Sequence, residues 1–344
     1  MVTTIKDIAK AANVSNPAVS AVLNNKTNCR VSPATREKIL KLAKEMNYKP
    51  HFSGLLLRGE KTRTVALLIC DKWMKFEDYM RDLLITLMSQ FDQKSYACYL
   101  ADITGDADTN YSKVLELISR GVHNFIFLGV PFGHTKIREL MESTNKNSIV
   151  YGDSTFLERY VLHDSAAGVT AIIKFFLSRD RNNFRMLINR ANYDTIKQDG
   201  NSRFRGLMAA FPDVDQETLK SKYLIPMDDL DVEESGYLDS FAKVGYTATA
   251  KVIDSNPDIQ AIFYLSDFYA IGGAKLLIER GFSIGKDILL AGFNETPAVR
   301  NYPFPISSVG HDIDKIGDMI IKESSGDNRR FGYVIPPIVH IREV

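Results

Sequence analysis

From Thr64 onward the chain alternates between short apolar runs and longer segments with helical spacing. The first set of apolar runs is TVALLI, ACYL, FIFLGV and SIVYG, with helical stretches at 77–92, 109–120 and 135–143. The second set, after His163, is FRMLIN, KYLI, AIFYL and DILLAGF, with helices near 165–179, 201–211, 233–254 and 268–280. Uninterrupted apolar runs indicate parallel strands covered on both faces by crossover helices. The pattern predicts an α/β body of two Rossmann-like subdomains with parallel sheets.

The length and composition limit what else the protein can be. A chain of 344 residues is too long for one ordinary core and predicts two or three domains. No apolar run reaches about 18 residues and no secretory signal is recognisable, so we expect a cytoplasmic protein without a membrane partner. Cys29, Cys70 and Cys98 are scattered and lack CxxC spacing, which argues against a disulfide framework or a zinc site.

The first 25 residues predict two short helices joined by a tight turn. Thr4 and Asp7 provide an N-terminal cap for the first helix, because the threonine oxygen can accept from a free backbone N–H there. Asn13 tolerates the left-handed conformation of a turn, and Ser15 caps a second helix whose first turn accepts Pro17. This pattern is typical of a helix-turn-helix. An ordinary helical hairpin with a solvated face is the alternative.

Helical spacing divides the second helix into two faces. The inward face is Ala18, Val19, Val22 and Leu23. The outward face consists of small or polar residues, which can approach base edges closely: Asn16, Pro17, Ser20, Ala21 and Asn24. Ser32 and Pro33 then open a third helix that runs through Met46. We therefore expect an all-α headpiece of three short helices around one small core.

Charge is distributed unevenly along the chain. Residues 1–60 contain ten basic and four acidic side chains, a net charge of +6, whereas the remainder carries 33 basic and 38 acidic side chains, a net charge of −5. A small basic module on a slightly acidic body is typical of a nucleic-acid-binding protein, because neutralising phosphates supplies most of the non-specific affinity. A solvated lysine-rich helix is the alternative.

Several motifs, in order and near the expected spacing, resemble the opening of the LacI family of bacterial transcription regulators. They are TIKDIAKAANVS, AVSAVLNN, RVSPATREKILKLAKEMNYKP and LLLRGEKTRTVALL, and a weaker match runs to the C-terminus. The resemblance implies a DNA-binding headpiece at 1–49, a hinge segment at 50–62 and an effector-binding and dimerisation domain at 63–344. Thr4, Ser15 and the outward residues of the second helix would contact DNA.

The resemblance also implies the arrangement of the body, because the family shares it with periplasmic sugar-binding proteins of type I. In that arrangement the chain crosses between the subdomains three times, which we expect near 163–165, 292–294 and 322–325. The N-subdomain would then comprise about 63–163 plus 293–323. The C-subdomain would comprise about 164–292 plus 324–344, and the ligand cleft would lie between them at the carboxyl ends of the strands.

Residues 51–60 resemble the hinge segment, which in the family folds on operator DNA and inserts a leucine into the minor groove. Leu57 stands at that leucine position. A wedge of this kind unstacks one base step and bends the duplex. Gly54 lowers helix propensity by about 1 kcal/mol relative to alanine, and Leu55 stands where the family commonly has arginine. A flexible linker is the alternative.

Candidate effector-binding residues follow the predicted strands. Most come from loops at strand ends: Asp71, Trp73, Phe76, Asp153 and Asp164. Trp73 beside a carboxylate suits the apolar face and hydroxyls of a sugar, although core packing is an equal alternative. By resemblance, Arg203 in SRFRGL would grip an effector hydroxyl or carboxylate through its guanidinium fork. A surface ion pair is the alternative for Arg203.

Two further candidates lie in the second half of the body. Asp267, in SDFYAIGG, falls in a motif that resembles the family's D-x-x-A-x-G, and it could instead cap the following helix. Asn294, in AGFNE, stands where many members have an aspartate that accepts two effector hydroxyls. Because an amide donates as well as accepts, the hydrogen-bonding pattern of the effector is open.

The motifs of common enzymes are missing or wrongly placed. The sequence has no GxGxxG, GxxxxGK[ST] or HExxH. GFSIG at 281–285 matches GxSxG, but that motif needs a strand before the serine and a helix after it, and here the order is reversed. The six histidines have no metal-ligand spacing. We expect no catalytic residues, no metal site and no cofactor.

Together these features predict a homodimeric, sequence-specific transcription regulator that represses a sugar or related metabolic operon. Two identical headpieces imply a pseudo-palindromic double-stranded operator. A small molecule in the cleft, a sugar or sugar derivative, would control operator affinity. Two alternatives are a cytoplasmic small-molecule sensor that acts through a protein partner and a regulator that needs a corepressor.

Overall fold

A computed structural model describes residues 3–24, 31–48, 62–71, 77–152, 154–190, 193, 202–227, 237–324 and 329–344. The chain divides into two compact units, Met1–Thr62 and Arg63–Val344, which we call the headpiece unit and the body. Within the described ranges, none of the helices has both the length and the apolar character needed to span a membrane.

The headpiece unit contains three helices: α1 Ile5–Ala12, α2 Asn16–Leu23 and α3 Pro33–Glu45. Thr4 and Asp7 form the predicted reciprocal cap of α1, with the Thr4 N–H donating to the Asp7 carboxylate at 2.9 Å. Asn13 ends α1 in the left-handed conformation, with φ of 58° and ψ of 50°. Ser15 caps α2, and Pro17 lies in its first turn. These three local predictions are confirmed.

The core of the headpiece unit is small and entirely apolar. Its fully buried side chains come from all three helices: Ile8, Val19, Val22 and Ile39. Burying an aliphatic side chain contributes about 1.5–3 kcal/mol, so a few such residues hold this unit together. The inward face predicted for α2 is confirmed at its two valines, whereas Ala18 and Leu23 are only half-buried.

The body alternates strands and helices. Its strands are β1 Thr64–Ile69, β2 Ala97–Asp102, β3 Asn124–Leu128, β4 Asn147–Tyr151, β5 Arg159–His163, β6 Phe184–Asn189, β7 Leu224–Met227, β8 Ala261–Tyr264, β9 Leu289–Phe293, β10 Ile306–Gly310, β11 Phe331–Ile335 and β12 Ile338–His340. Its helices are α4 Asp78–Gln93, α5 Ala107–Ser119, α6 His134–Ser143, α7 Ser165–Ser178, α8 Ser202–Ala210, α9 Gln216–Tyr223, α10 Tyr237–Ser255, α11 Asp267–Glu279, α12 Pro297–Arg300 and α13 Ile313–Ser324.

The strands form two six-stranded sheets, each the centre of one lobe. The first-lobe sheet has the order β11-β5-β4-β3-β1-β2 and is parallel throughout. The second-lobe sheet has the order β12-β10-β9-β8-β6-β7, and only the edge strand β12 is antiparallel. The predicted fold class, an all-α headpiece and two Rossmann-like subdomains, is confirmed.

Helices cover both faces of each sheet, which explains the uninterrupted apolar runs. In the first lobe, α4 and α13 pack on one face and α5 and α6 on the other. In the second lobe, α7, α8 and α9 cover one face and α10 and α11 the other. Every residue of β3, β4, β8, β9 and β10 is buried, as expected for strands inside an α/β domain.

The predicted crossings between the lobes need correction at two of three places. The chain leaves the first lobe at Asp164, as expected. It does not return at 292–294, because β10 pairs in parallel with β9 in the second sheet, with Ile306 opposite Leu290. It returns instead at 311–312, before α13 packs on α4. Assigning all of 293–323 to the N-subdomain was therefore wrong.

The last crossing was also misplaced. Residues 324–344 do not all belong to the second lobe, because β11 pairs with β5 in the first sheet, with Tyr333 opposite Val161. The chain crosses at 336–337, and only β12 joins the second sheet. The edge strand of the first sheet, β11, is thus followed directly by the edge strand of the second sheet, β12, and only Pro336 and Pro337 separate them.

Candidate functional site

The outward side of α2 carries the residues predicted to contact DNA. Asn16 and Pro17 are exposed, and Ser20 and Ala21 are half-buried. Asn24 bonds within its own helix end, its Nδ2 donating to the Ser20 carbonyl at 2.5 Å. This side of α2 therefore presents one exposed amide among small side chains, and its contact with DNA remains a prediction.

Two other predicted DNA contacts also serve the local fold. Thr4 is exposed, and its hydroxyl donates a hydrogen bond to the Asp7 carboxylate at 2.7 Å. Ser15 is exposed and its hydroxyl accepts from Ala18 N at 3.4 Å. Both sit at helix N-termini, where backbone N–H groups and the helix dipole favour a phosphate. The same caps that shape the headpiece therefore lie where an anion is favoured.

Exposed lysines surround these helices. Lys6, Lys10 and Lys44 are exposed, and Lys41 forms an exposed ion pair with Glu45 at 3.9 Å. Lys38 has a structural role, because its Nζ donates to the Ala12 carbonyl at the end of α1, at 3.1 Å. Most of the described basic side chains of this unit are therefore available to solvent or to a polyanion.

In the body, polar side chains from both lobes meet at the carboxyl ends of the strands. Asn294, directly after β9, donates from Nδ2 to the Glu77 carboxylate at 2.6 Å. Its Oδ1 lies 3.2 Å from His311 Nε2, and His311 Nδ1 lies 3.1 Å from the Tyr151 hydroxyl. Glu77 immediately precedes α4 and Tyr151 ends β4, so this chain of bonds begins and ends in the first lobe and passes through the second.

The direction of these bonds follows from the chemistry of the groups. A carboxylate accepts, so Asn294 turns its NH2 toward Glu77 and its oxygen toward His311. Burial lowers the pKa of His311 well below its ordinary value, so the ring is neutral. His311 Nε2–H therefore donates to Asn294, and its Nδ1 accepts from Tyr151. With Glu77 ionised, each hydrogen bond in this series therefore has one direction.

Aromatic rings pack beside this series of bonds. Tyr79 stacks on His311 with ring centroids 3.9 Å apart and planes 9° apart. His163 lies against the other side of His311 at 4.0 Å, and its edge meets Phe293 at 5.8 Å. His163 Nε2 is 3.2 Å from the Gly310 carbonyl, which can only accept, so Nε2 carries the proton. His163 immediately precedes the crossing at Asp164, and His311 lies in the crossing at 311–312.

Arg203 completes this surface from the second lobe. Its guanidinium lies 4.3 Å from the centre of the Phe293 ring, and its Nη1 donates to the Leu265 carbonyl at 3.2 Å. It also acts electrostatically on Glu77, Tyr79 and His163. This position favours a role in gripping an effector over the surface ion pair.

Burial shifts the pKa values of the ionisable groups in the cleft. It raises the pKa of Glu77 from 4.5 to about 7, against the opposing effects of Arg203 and Asn294. It lowers the pKa of His163 from 6.5 to about 4 and lowers that of Arg203. Near neutral pH the two histidines are therefore uncharged, and Glu77 is close to half-protonated.

Asp267 does not lie in the cleft, and its predicted contact with an effector is wrong. The side chain is completely buried, accepting from the Ser308 hydroxyl at 2.7 Å and from Thr296 N at 2.6 Å. Burial raises its pKa to about 7. Ser266, not Asp267, occupies the N-cap position of helix α11, but its buried hydroxyl makes no hydrogen bond to the helix. Asp267 therefore fixes the loop after β9.

That loop holds Asn294 in an uncommon backbone conformation. Asn294 and Glu295 have φ of 95° and 51°, the left-handed region that non-glycine residues rarely adopt. Glu295 is held by the guanidinium of Arg342, with one N–O distance of 3.1 Å, and its N–H donates to the Ser308 hydroxyl. The surrounding bonds offset the strain and aim the Asn294 side chain across the cleft.

The remaining predicted effector residues have different outcomes. Asp164 caps α7, its carboxylate accepting from Ala167 N at 2.9 Å, and Asp71 is exposed just after β1. Leu57, Trp73, Phe76 and Asp153 lie outside the described residues, as does most of the hinge segment. The effector roles of Asp71, Asp164, Arg203 and Asn294 remain predictions.

Sequence reasoning missed five residues that the structure brings together: Glu77, Tyr79, Tyr151, His163 and His311. Their signal was weak, because each belongs to a strand end or helix start whose partner lies more than a hundred residues away. Within the described ranges, no group of His, Cys, Asp and Glu side chains could hold a metal ion. Ser283 follows α11 and precedes β9, so the GxSxG match lacks its required context.

Comparisons with known proteins agree with this architecture. Residues 4–51 match the family model described as bacterial regulatory proteins, lacI family, and residues 174–323 match a periplasmic binding protein-like domain. The HTH-type transcriptional regulator DegA of Bacillus subtilis (strain 168) is 25% identical over 99% of this chain and 98% of its own length.

Solved structures share the fold. A lac repressor dimer bound to operator and the anti-inducer ONPF has a TM-score of 0.76 and 17% identity, and covers 100% of this chain and 99% of its own. A complex of the transcriptional regulator CelR with cellobiose has a TM-score of 0.62 and 20% identity, with 99% of both chains covered. The relatives are regulators, which confirms the prediction that this protein is not an enzyme. The chain thus joins a headpiece of the lacI family of bacterial regulatory proteins to a periplasmic binding protein-like domain, and its relatives are regulators of this architecture.

Proposed function

We propose that this regulator is a homodimeric repressor of a sugar or related metabolic operon, and that a small carbohydrate bound between the lobes controls its operator affinity. The observation that carries the DNA-binding part is the capped helix-turn-helix of the headpiece unit, with an exposed Asn16 among small side chains on α2. Such a surface suits the major groove, where an amide reads adenine and a methyl group contacts thymine.

An open sheet edge supports the homodimer. Strand β2 is the edge of the first sheet, and the elements beside it carry large exposed apolar side chains. They are Ile85 and Met88 on α4, Leu100 on β2 and Leu115 on α5, exposed by 59%, 44%, 56% and 44%. An apolar surface beside an unpaired strand favours a partner, and a second copy makes a two-fold interface. Paired headpieces then bind a pseudo-palindromic operator.

The cleft supports the effector. Asn294, Arg203 and the carboxyl groups near them converge where two parallel sheets point their carboxyl ends, the usual ligand position in open α/β folds. Chain segments at Asp164, 311–312 and 336–337 join the lobes, so closure around a ligand is a rotation about these segments. The likeness to a regulator solved with cellobiose supports a carbohydrate as the ligand class.

The test is a selection of bound sequences from random duplexes, followed by a screen of saccharides for release of the selected duplex. We expect a pseudo-palindromic motif, an affinity that falls steeply as salt is raised, and release by at least one saccharide. Failure to enrich any motif would favour the sensor that acts through a protein partner. Binding that requires a saccharide would identify a corepressor-dependent regulator.

A further inference from the structure

The hydrogen bond between Glu77 and Asn294 joins the two lobes directly. Glu77 occupies the N-cap position of α4, yet its side chain makes no bond to that helix. It reaches instead to Asn294, more than two hundred residues later, at 2.6 Å. A carboxylate at a helix N-terminus ordinarily satisfies the free N–H groups there, so this contact replaces the common local one.

Asn294 is suited to this contact and an aspartate would not be. Its Oδ1 accepts from His311, so Nδ2 is the group that it presents to the first lobe. An aspartate with the same shape would present only acceptor oxygens to Glu77, so at a pH where both groups are ionised the two carboxylates have no proton to share and repel. The pair therefore works because one partner is an acid and the other an amide.

The surroundings of Glu77 include few charges that could substitute for Asn294. Arg203, on α8 of the second lobe, attracts the carboxylate, whereas Asp78 on α4 and Asp71 after β1 repel it. Tyr79 is neutral, because burial raises the pKa of its hydroxyl. Asn294 and Arg203 of the second lobe therefore attract the Glu77 carboxylate, whereas the carboxylates of Asp78 and Asp71 in its own lobe repel it.

We propose that Glu77 is a built-in stand-in for the effector: when no effector is bound, its carboxylate takes the place on Asn294 Nδ2 that an acceptor oxygen of the effector takes, and this bond, the latch, holds the two lobes together until the effector displaces it. This inference rests on the proposed function only in assuming that the cleft binds an effector. It adds a chemical requirement, since the group that the effector offers to Asn294 accepts a hydrogen bond.

The latch is tested without DNA and without a known effector, by the distance between nitroxide labels on the two lobes. Phe132, in the loop after β3, and Ala298, on α12, are exposed and suit labelling as cysteines in a chain whose own cysteines are replaced. Pulsed electron spin resonance on labelled protein diluted with unlabelled protein reports one distance distribution per chain. The measurement does not involve operator binding. A negative result for the latch is therefore distinguishable from a failure of the proposed DNA-binding function.

Four variants define the expected result. At a pH well above 7, where Glu77 is ionised, the native pair gives one narrow distribution, and Glu77→Ala and Asn294→Asp each shift it to longer distances by several ångströms. Glu77→Gln combined with Asn294→Asp restores the narrow distribution, because the donor and the acceptor are exchanged. Asp78→Ala removes the neighbouring carboxylate, which pairs with Arg81 at 2.7 Å, and leaves the distribution unchanged.

Acetate provides the probe for the stand-in itself. It supplies the carboxylate that Glu77→Ala lacks, so acetate returns this variant to the short distance, whereas acetamide and chloride at equal concentration do so several-fold less. Asn294→Asp with Glu77→Ala does not respond, because the donor is gone. If all variants share one distance distribution, the latch is refuted. If Glu77→Ala opens but acetate does not return it to the short distance, the stand-in is refuted. Both results leave the proposed DNA-binding function untouched.

Discussion

At the scale of single residues, the most informative position of the body is Asn294. Its side chain bonds to Glu77 and His311, and its backbone conformation depends on Asp267, Ser308 and Arg342. None of these relationships has a signature in the local sequence, because the partners are joined only when the second sheet forms. The resemblance located Asn294, but only the structure shows that its amide oxygen is already used and its NH2 group faces Glu77.

The pH dependence of stability should report the buried carboxyl of Glu77. Its pKa in the folded protein, about 7, exceeds the ordinary 4.5, so folding is favoured while this group keeps its proton. The contribution is complete below pH 4.5 and is lost as the pH rises through 7. The difference corresponds to about 3 kcal/mol. Urea unfolding should show that the stability of the native chain relative to Glu77→Gln falls between pH 4.5 and 7, because the other shifted groups, Asp267, His163 and His311, are present in both proteins. Equal slopes in both proteins would contradict the shift.

In the headpiece unit, the residue that decides base specificity should be Asn16. It is the exposed amide on α2, whereas Asn24 is bonded to Ser20. Asn16→Ala should relax base preference at one position of each half-site and cost about 1–3 kcal/mol for the selected sequence. Lys44→Ala is the control, because loss of an exposed charge weakens all sequences alike. An unchanged selected motif would remove Asn16 from base readout.

At the scale of elements, each of the eight apolar runs in the sequence corresponds to a strand, β1 to β4 and β6 to β9, and these include the edge strands β2 and β7. The other four described strands lack such a run. β5 and β11 each carry half-exposed or exposed residues among their apolar ones, so neither forms a continuous apolar run. The last strand, β12, has only three residues. β10 is fully buried but contains Ser307 and Ser308, so it does not appear as an apolar run. Because neither β10 nor β11 is recognisable from the sequence, two of the predicted crossings are misplaced.

The loop between β9 and α12 should depend on the buried carboxylate of Asp267. Asp267→Ala leaves the Ser308 hydroxyl and Thr296 N–H without their acceptor in a site closed to water, which costs about 1–3 kcal/mol for each group. Gly292 is packed so closely on this carboxylate that a Cβ there would lie 2.2 Å from Oδ1. Urea unfolding should show the loss. Asp254→Ala, which removes an exposed partner of Arg280, is the control and should cost under about 1 kcal/mol.

At the scale of the whole molecule, the units must be coupled for an effector to act on DNA binding. An effector shifts the operator equilibrium only if it binds two arrangements of the lobes with different affinity. The chain that joins the body to the headpiece unit is the hinge segment 50–62, and its resemblance to the family supplies the hypothesis of a minor-groove wedge at Leu57. Leu57 lies outside the described residues, so the wedge is a hypothesis from the sequence.

The hinge hypothesis predicts different effects on specific and non-specific DNA. Leu57→Ala should weaken operator binding far more than binding to a scrambled duplex, because only a bent specific site offers a base step to the wedge. Gly54→Ala should tighten operator binding, since alanine favours a helix by about 1 kcal/mol. Titrations of both duplexes at one salt concentration decide this. Equal losses on both for Leu57→Ala would make the segment a tether.

In the proposed dimer, two headpieces on one operator would bind with a high effective concentration, so dimer stability should set the operator affinity of the whole molecule. The open edge of the first sheet supplies the candidate interface, and Ile85 and Leu100 are its most exposed apolar side chains. Ile85→Glu with Leu100→Glu places like charges on both sides of a two-fold contact. We expect sedimentation equilibrium to show at least a 100-fold weaker dimer, and operator affinity to fall with it. Phe132→Glu is the control, an exposed aromatic in the loop after the central strand β3, and should change neither. A stable dimer of the double variant would move the interface elsewhere, and the operator symmetry would then have to come from another surface.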